Sequence, residues 1–451
     1  MKQFRKQQAL DLTQGPLAKQ ILQVSLPLMA INVLQVLFNM ADLAVVGRFA
    51  GPIPLGAVGS TSKLLFLFTG LLIGVSGGVN VLVARHFGAR DRDQLTQTIH
   101  TAAIVCLSIG CLLMAAGFIW AREILELLKT KPELIDSAVR YLRIYVLGMP
   151  ALALYNFGNA VYSAVGNTRR PLYYMTAAGI VNVVLNVFFV VGCGMDADGV
   201  GLASAIAQIL SAALILRSLF LCRDVYGLRF IHLRMDPLCA GKLLRIGIPS
   251  GLQNAIFSIS NLFIQTAVNS FSAITVAGFS AAANADDLTV ESAFAFCMAC
   301  SSFVGQNYGA RQKSRIMKSY LICSAYAFCL VLFTGILLFV FGEQFLFLFT
   351  DDPAVVAEGL KRLRILALFY CMSVPMDCSI SASRGLGKTV VPTFIVVLGV
   401  CVFRIIWVRT IFAWYGTITS LFLLYIFSWL ITASTETLYF FHIYRKETKG
   451  M

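Results

Sequence analysis

The sequence predicts an all-α membrane protein of twelve transmembrane helices, arranged as two six-helix lobes. Three observations predict it. The 451 residues are 58% hydrophobic and only 13% charged, with a mean hydropathy of +0.79; a soluble chain carries about 25% charged residues. Apolar stretches of about 20 residues, the length that crosses a bilayer, recur from end to end. The chain also repeats itself at a spacing of 221 residues: "FGAR" at 87–90 returns as "YGAR" at 308–311, "LRI" at 142–144 returns at 363–365, and "GNTRRP" at 166–171 returns as "GKTVVP" at 387–392. "LP" at 26–27 and "IP" at 248–249 fit with a one-residue gap.

The spans follow from apolar runs and from the basic loops between them. The first, 20–46, leaves a side holding Lys2, Arg5, Lys6 and Lys19 and is read as a membrane helix, since it is too long for a signal and lacks a small-residue cleavage site. The second, 55–84, returns to Arg85, Arg90 and Arg92. The third and fourth, 98–120 and 141–165, go out and come back to Arg169 and Arg170. The fifth and sixth, 171–192 and 199–221, end on a long basic loop with Arg217, Arg223, Arg229, Arg234, Lys242 and Arg245. The second half repeats the pattern with spans 243–270, 273–303, 318–341, 362–384, 391–414 and 417–441. Its inner loops hold Arg311, Lys313, Arg315 and Lys318, then Arg384 and Lys388, then Arg445, Lys446 and Lys449. This side thus carries 24 of the 36 basic residues, and the positive-inside rule makes it cytoplasmic, with both termini inside. The remaining basic residues sit outside or within helices, many beside acids, as in "DDPAVVAEGLKR". The net charge of +14 is therefore topological, and no nucleic-acid partner is expected.

The expected organisation is an N-terminal lobe over 1–222, a cytoplasmic linker over 223–242 and a C-terminal lobe over 243–451. Six helices per half is an even number, so both halves point the same way. That predicts two bundles related by a pseudo-two-fold axis along the membrane normal. Gly70, Gly74 and Gly78 recur every four residues on the second span, a spacing for close backbone packing.

Several chemistries fail on inspection. The twelve cysteines lie mostly in apolar segments and read as small hydrophobes. Cys297 and Cys300 form C-x-x-C without a second pair or a histidine cluster. "GCGMDADG" at 192–199 lacks the spacing and closing glutamate of a calcium loop. No phosphate-binding Walker motif and no nucleophile–base set occurs, so neither an enzyme nor a cofactor is expected.

Ionisable groups at membrane depth are costly, roughly 2.5–3.5 kcal/mol each on insertion scales, and so mark function. Asp42 ends the first apolar run, about 9 Å from its outer end at a rise of about 1.5 Å per residue; a bland reading pairs it with Arg48. Asn182 and Asn186 lie four apart on one face of the fifth span. Asn186 and Ser204 of the sixth span share the depth of Asp42, with Asn182 one turn deeper. Oxygen-bearing side chains at one level suit a hard cation such as sodium, held by Asp42, or a proton relay. In the second half, Asp287 and Glu291 share a face of the eighth span, and Asp377 on the tenth matches Asp287 in depth. These are the expected substrate-cavity acids. Asp286 points elsewhere on its helix, and the bland alternative for the group is a polar network with Arg404. Phe38, Met40, Tyr155, Tyr162, Phe257 and Phe263 are candidate aromatic and thioether contacts for an organic cation, each also readable as plain packing.

The pieces "SLPLMAINVLQVLFNMADLAVVGR", "VLVARHFGAR", "VGNTRRP", "GIPSGLQNAIFSIS", "FVGQNYGAR" and "RGLGKT" together resemble the multidrug and toxic compound extrusion (MATE) family over essentially the whole chain. The resemblance implies a V-shaped pair of six-helix lobes around a central cavity. It also implies export of cationic and amphipathic compounds in exchange for sodium or protons. Asp42 matches the first-helix aspartate on which coupling depends in that family, Asn182 its fifth-helix asparagine, and Ser204 its sixth-helix hydroxyl. Asn186 stands where many members carry an aspartate. The seventh-helix glutamate of the NorM-like branch is missing, with Ser258 or its neighbours there, so the chain resembles the DinF-like bacterial branch more. Asp287 coincides with a frequent acidic position.

The expected function is therefore a secondary antiporter of lipophilic cations, working as a monomer in a bacterial plasma membrane with a proton or sodium ion as the coupling ion. One alternative is a lipid-linked-sugar flippase of the wider superfamily, which would carry more helices and cavity arginines or lysines. Another is a non-transporting membrane receptor or scaffold, which would not need acids at matched depth.

Overall fold

The computed structural model describes residues 10–451, except the side chains of Lys63, Asp287 and Leu288. The regular elements among these residues are helices: α1 (Leu17–Val45), α2 (Pro52–Gly88), α3 (Arg92–Ile119), α4 (Ala121–Leu127), α5 (Pro132–Val146), α6 (Met149–Ala164), α7 (Arg169–Val187), α8 (Ala197–Phe220), α9 (Pro237–Val268), α10 (Ala273–Gly309), α11 (Lys313–Phe347), α12 (Pro353–Leu366), α13 (Val374–Gly385), α14 (Val390–Val396), α15 (Phe403–Trp407), α16 (Ala413–Tyr415) and α17 (Ile418–Glu447). Wide π turns extend α1, extend α7 and join α14, α15 and α16 into one rod.

Nine of these rods are long and apolar enough to cross a membrane, and two bent pairs each supply one more. The bends correct the expected fourth and tenth spans. Residues 141–165 straddle a 46° break between α5 and α6, and residues 362–384 a 49° break between α12 and α13. Each break precedes a proline, Pro150 or Pro375, in the first turn of the following helix, where a missing N–H costs nothing but the preceding residue resists the helical conformation. The expected seventh span lies in α9, which has 32 residues yet falls outside the nine: Gln253, Asn254, Asn261 and Gln265 interrupt its apolar character.

The described chain forms two compact units, one of Leu10 and Asp11 with Ala30–Gly251, the other of Leu12–Met29 with Leu252–Met451. Both α1 and α9 therefore begin in one unit and end in the other.

The repeated motifs are helix-ending turns. In "FGAR", Arg90 takes φ 58° and Asp91 N–H donates back to His86 O at 3.1 Å; in "YGAR", Arg311 takes φ 56° and Gln312 N–H donates to Asn307 O at 2.8 Å. In "GNTRRP" and "GKTVVP", Gly166 and Gly387 sit at φ 74° and 77°, the left-handed conformation that closes a helix and that glycine adopts without a Cβ penalty. The repeat extends to elements no motif marks. Helices α2 and α10 are 37 residues each. The bend at Trp120 (φ −98°, ψ 23°) after α3 recurs 221 residues on, at Phe341 (φ −107°, ψ 17°) inside α11.

In the first unit, Val75, Val79, Phe157, Tyr162 and Ile215 pack into a core that Tyr226 and Leu228 of the 222–236 loop complete. That loop is pinned: Arg229 N–H donates to His100 Nε2 at 3.0 Å and Asp236 N–H to Thr101 Oγ1 at 3.2 Å. The close packing expected of the glycine series is present. A Cβ on Gly74 would lie 2.1 Å from Gly251 N, and one on Gly78 2.7 Å from Leu243 O, so α2 and α9 touch backbone to backbone. In the second unit Met376, Ile380, Val396, Val400 and Ala433 form a core of α13, the α14 rod and α17. Outward faces carry large apolar side chains such as Phe66, Leu112, Val184, Phe333 and Phe394, all more than half exposed, as lipid-facing helices require.

Candidate functional site: a carboxylate in a ring of oxygens

Helix α1 delivers Asp42 to α7 and α8 because of Phe38, one turn earlier. The Phe38 ring lies on Gly179 of α7, so closely that a Cβ there would sit 1.8 Å from Cε2. Without a side chain at 179 the two helices approach, and the polar groups of the next turns meet. Asn186 Nδ2 donates to Asp42 Oδ1 at 2.5 Å, and Ser204 Oγ donates to Oδ2 at 3.3 Å. Asn182 closes the ring, accepting from Asn186 Nδ2 and donating to Ser204 Oγ, both at 3.4 Å. The four residues grouped by depth in the sequence are thus in mutual contact. Asn182, Asn186 and Ser204 are buried while Asp42 is part-exposed. The pairing with Arg48 is not formed; Asp42 spends its oxygens on α7 and α8 instead.

The donor set is all oxygen and amide: a carboxylate, two amide carbonyls and a hydroxyl. Asn186 Oδ1 is buried with no hydrogen-bond partner, an orphaned acceptor of the kind a proton or hard cation satisfies. Around it, Tyr141 and Tyr145 of α5 lie in electrostatic range of Asp42. Sequence reasoning missed Gly179 and both tyrosines; the "LRI" repeat within their helix was the one hint that it mattered.

The second unit arranges its acids differently. Asp286, expected to point away, accepts hydrogen bonds from the Arg362 guanidinium and the Tyr370 hydroxyl. Arg362, read from the sequence as a peripheral charge beside acids, is buried, and its guanidinium carbon stands 3.9 Å from the Phe279 ring centroid. Arg404 does not join these acids as the bland alternative had it. It donates to Ser428 Oγ at 3.2 Å and to Asn261 Oδ1 at 3.3 Å, over the Tyr425 ring. The side chain of Asp287 lies outside the described residues; Glu291 is half-buried on α10. Asp377 lies in electrostatic range of Arg384 and of Glu436 on α17, a glutamate the sequence reading passed over. The ring of Phe38 packs on Gly179, and Tyr155 is buried with its hydroxyl donating to Pro171 O at 3.3 Å.

A family model, MatE, matches residues 27–188 and again residues 249–408. The chain belongs to the MatE family. The two matches begin a repeat apart to within one residue, so each half carries the family's pattern. The MatE chain is similar to the probable multidrug resistance protein YpnP of Bacillus subtilis, 28% identical over 80% of this chain and 81% of that one. It is similar to the probable multidrug resistance protein NorM of Thermotoga maritima, 25% identical over 86% and 84%. Among solved structures, one described as the outward-facing conformation of a multidrug resistance MATE family transporter of the MOP superfamily superimposes with a TM-score of 0.91 at 22% identity, covering 99% of this chain and 100% of that one. The all-helical transporter fold and its place in the membrane are thereby fixed, and a MatE transporter is not an enzyme.

Proposed function

We propose that this MatE chain exports lipophilic or cationic drugs and toxic compounds from a bacterial cell in exchange for protons or sodium ions, by alternating access. The observation that carries the reading is the ring around Asp42. A carboxylate at membrane depth, held by three neutral polar side chains and no base, has a charge to be balanced by something that comes and goes. The relatives named for multidrug resistance support the substrate class. Asn186 contributes no charge, so a bound cation here meets one carboxylate only.

In the proposed cycle, drug binds from the cytoplasm while Asp42 carries no coupling ion. The two six-helix lobes, 1–222 and 243–451 joined by the linker 223–242 and related by a pseudo-two-fold axis, then rock to open outward. A proton or sodium ion binds at Asp42, Asn182, Asn186 and Ser204, and drug leaves. Coupling requires that ion and drug disfavour one another, by a reciprocal free energy of roughly 1–3 kcal/mol. Asp287, Glu291 and Asp377 are the acids assigned to the organic cation. We further place the chain in the bacterial inner membrane, with both termini cytoplasmic, as a functional monomer nearer the DinF-like branch.

The test is accumulation of a fluorescent lipophilic cation in inverted vesicles, with a pH gradient and a sodium gradient imposed in turn. Accumulation driven by one of them establishes antiport and names the ion. Absence under both would remove antiport of such cations from consideration.

A further inference from the structure

The second unit contains a carboxylate more completely buried than Asp42. Glu436 on α17 is 0% exposed, and neither of its carboxylate oxygens has a hydrogen-bond partner. An ionised carboxylate buried without a single donor costs several kcal/mol, a cost that a proton on Glu436 would remove. Its surroundings are not those of a permanently neutral group. Helix α17 packs on α13: Met376 and Ile380 pack with Ala433 in one core, and Thr437 Oγ1 lies 3.2 Å from Ser379 Oγ. Glu436, next to Thr437 in α17, lies in electrostatic range of Asp377 in α13. Two turns along α13, Arg384 is 8% exposed, and its Nε has no partner.

Other charged and titratable groups on the packed elements are already engaged. Arg362 and Tyr370 hold Asp286, Arg404 holds Ser428 and Asn261, Tyr320 holds Ser379, Cys378 pairs with Cys297 at 3.5 Å, and Glu447 of α17 pairs with Lys388. Cys401 lies on the π turn after α14, and Tyr439, on α17 itself, is the neighbour in electrostatic range of Glu436. The set of Asp377, Arg384 and Glu436 is therefore left with two acids and one base. With Glu436 protonated the three sum to zero charge; with Glu436 ionised they sum to −1.

We propose that Glu436, with Asp377 and Arg384, is a proton-binding site of the second unit, separate from the ring at Asp42, which holds one proton in this conformer and releases it when α13 and α17 shift to bring the Arg384 guanidinium to the carboxylate. The step is a single proton transfer: the O–H bond of Glu436 breaks, the proton passes to water or to the Asp377 carboxylate, and the charge left on Glu436 is met by Arg384. A proton fits better than a metal ion because, among the described residues, no cluster of three or more acid, histidine or cysteine side chains is placed to hold one, whereas sodium or calcium needs several oxygens. The use of this proton in transport rests on the antiport reading; its presence does not.

Infrared spectroscopy of the purified full-length protein in lipid, without substrate, tests it. A protonated carboxylic acid has a carbonyl stretch distinct from that of a carboxylate. The expected result is a carboxylic-acid band at neutral pH that is missing from Glu436→Gln and that bleaches reversibly as pH is raised. Arg384→Met should move the bleaching at least one pH unit upward, and Asp377→Asn should move it downward, because these changes remove a favourable and an unfavourable charge. The wild-type spectrum carries the test if Glu436→Gln misfolds, since Glu436→Asp should then shift the band without abolishing it. Three results would overturn the proposal: no band that depends on residue 436, a band that persists unchanged until the protein unfolds, or a band displaced by sodium at constant pH. An Asp42→Asn protein that has lost export should keep the band, which separates failure here from failure of the antiport reading.

Discussion

The repeat spacing of 221 residues sets Gly179, Asn182, Asn186 and Ser204 of the first half against Val400, Phe403, Trp407 and Tyr425 of the second, and Asp42 against Phe263 and Ile264. In the other direction, Asp286, Arg362 and Glu436 stand against Leu65, Tyr141 and Ile215. Turns, bends and helix lengths agree between the halves; polar side chains do not. Where the first half opens a gap at Gly179 and fills the space beyond it with a carboxylate and amides, the second fills the same places with Val400 and aromatic rings. Where the second half buries the Asp286–Arg362 pair and Glu436, the first buries Leu65, Tyr141 and Ile215. The scaffold is held by backbone-level features that either set of side chains tolerates, and each half is free to carry its own electrostatics. Among the described residues, the first half holds a part-exposed acid among neutral ligands, a site whose charge an incoming cation can balance directly.

Breaking the ring should have the largest effect. Asp42→Asn is nearly isosteric and should leave membrane levels unchanged while gradient-driven export falls below about a tenth of wild type, a loss of more than about 1.4 kcal/mol in the coupled step; export rates normalised to protein in membranes check it. The matching break in the second half should strike stability. Arg362→Met strips Asp286 of its buried partner, for which a cost of about 3–5 kcal/mol is typical, seen as a lower midpoint of thermal unfolding. Adding Asp286→Asn should recover most of it.

The sequence made the ring legible because its evidence is positional. Asp42, Asn186 and Ser204 could be set at one depth by counting from helix ends, and helix ends were marked by glycines and basic loops. Pairings between neighbouring acids were not legible. Asp286 and Asp287 differ by one residue, about 100° around a helix, and flanking alanines and asparagine give no apolar stripe to orient them. Arg362 misled because "EGLKR" reads as an interface cluster, while α12 turns it inward against Phe279. Glu436 in "TASTETLYFF" sits among hydroxyl residues that suit helix packing equally well. The bends at 147–148 and 367–373 were hidden because the residues immediately around them, "YVLGMPALALY" and "LALFYCMSVPM", are apolar.

Two smaller effects sharpen the contrast. Gly179→Ala forces the Phe38 ring from its seat; overpacking of this kind costs about 1–3 kcal/mol, and displacement of α1 should weaken ion binding at Asp42 about tenfold, measured by ion titration of the purified protein. The equivalent site already tolerates a valine at 400. At the far end of the scale, Arg122 bonds Asp136 at an exposed position, with side chains 50% and 71% exposed. Arg122→Ala should change stability by less than about 1 kcal/mol, a control that separates surface charge from the buried pairs in the same melting assay.

The most direct measurement is equilibrium binding of a labelled lipophilic cation to the purified protein, titrated with sodium at fixed pH and with protons in the absence of sodium, in wild type and in Asp42→Asn. The account predicts that one of the two ions weakens drug binding to wild type, by roughly 5–150-fold for a coupling of 1–3 kcal/mol, and that the effect vanishes in Asp42→Asn. Drug affinity that neither ion alters in wild type, or that the same ion alters equally in Asp42→Asn, would contradict it.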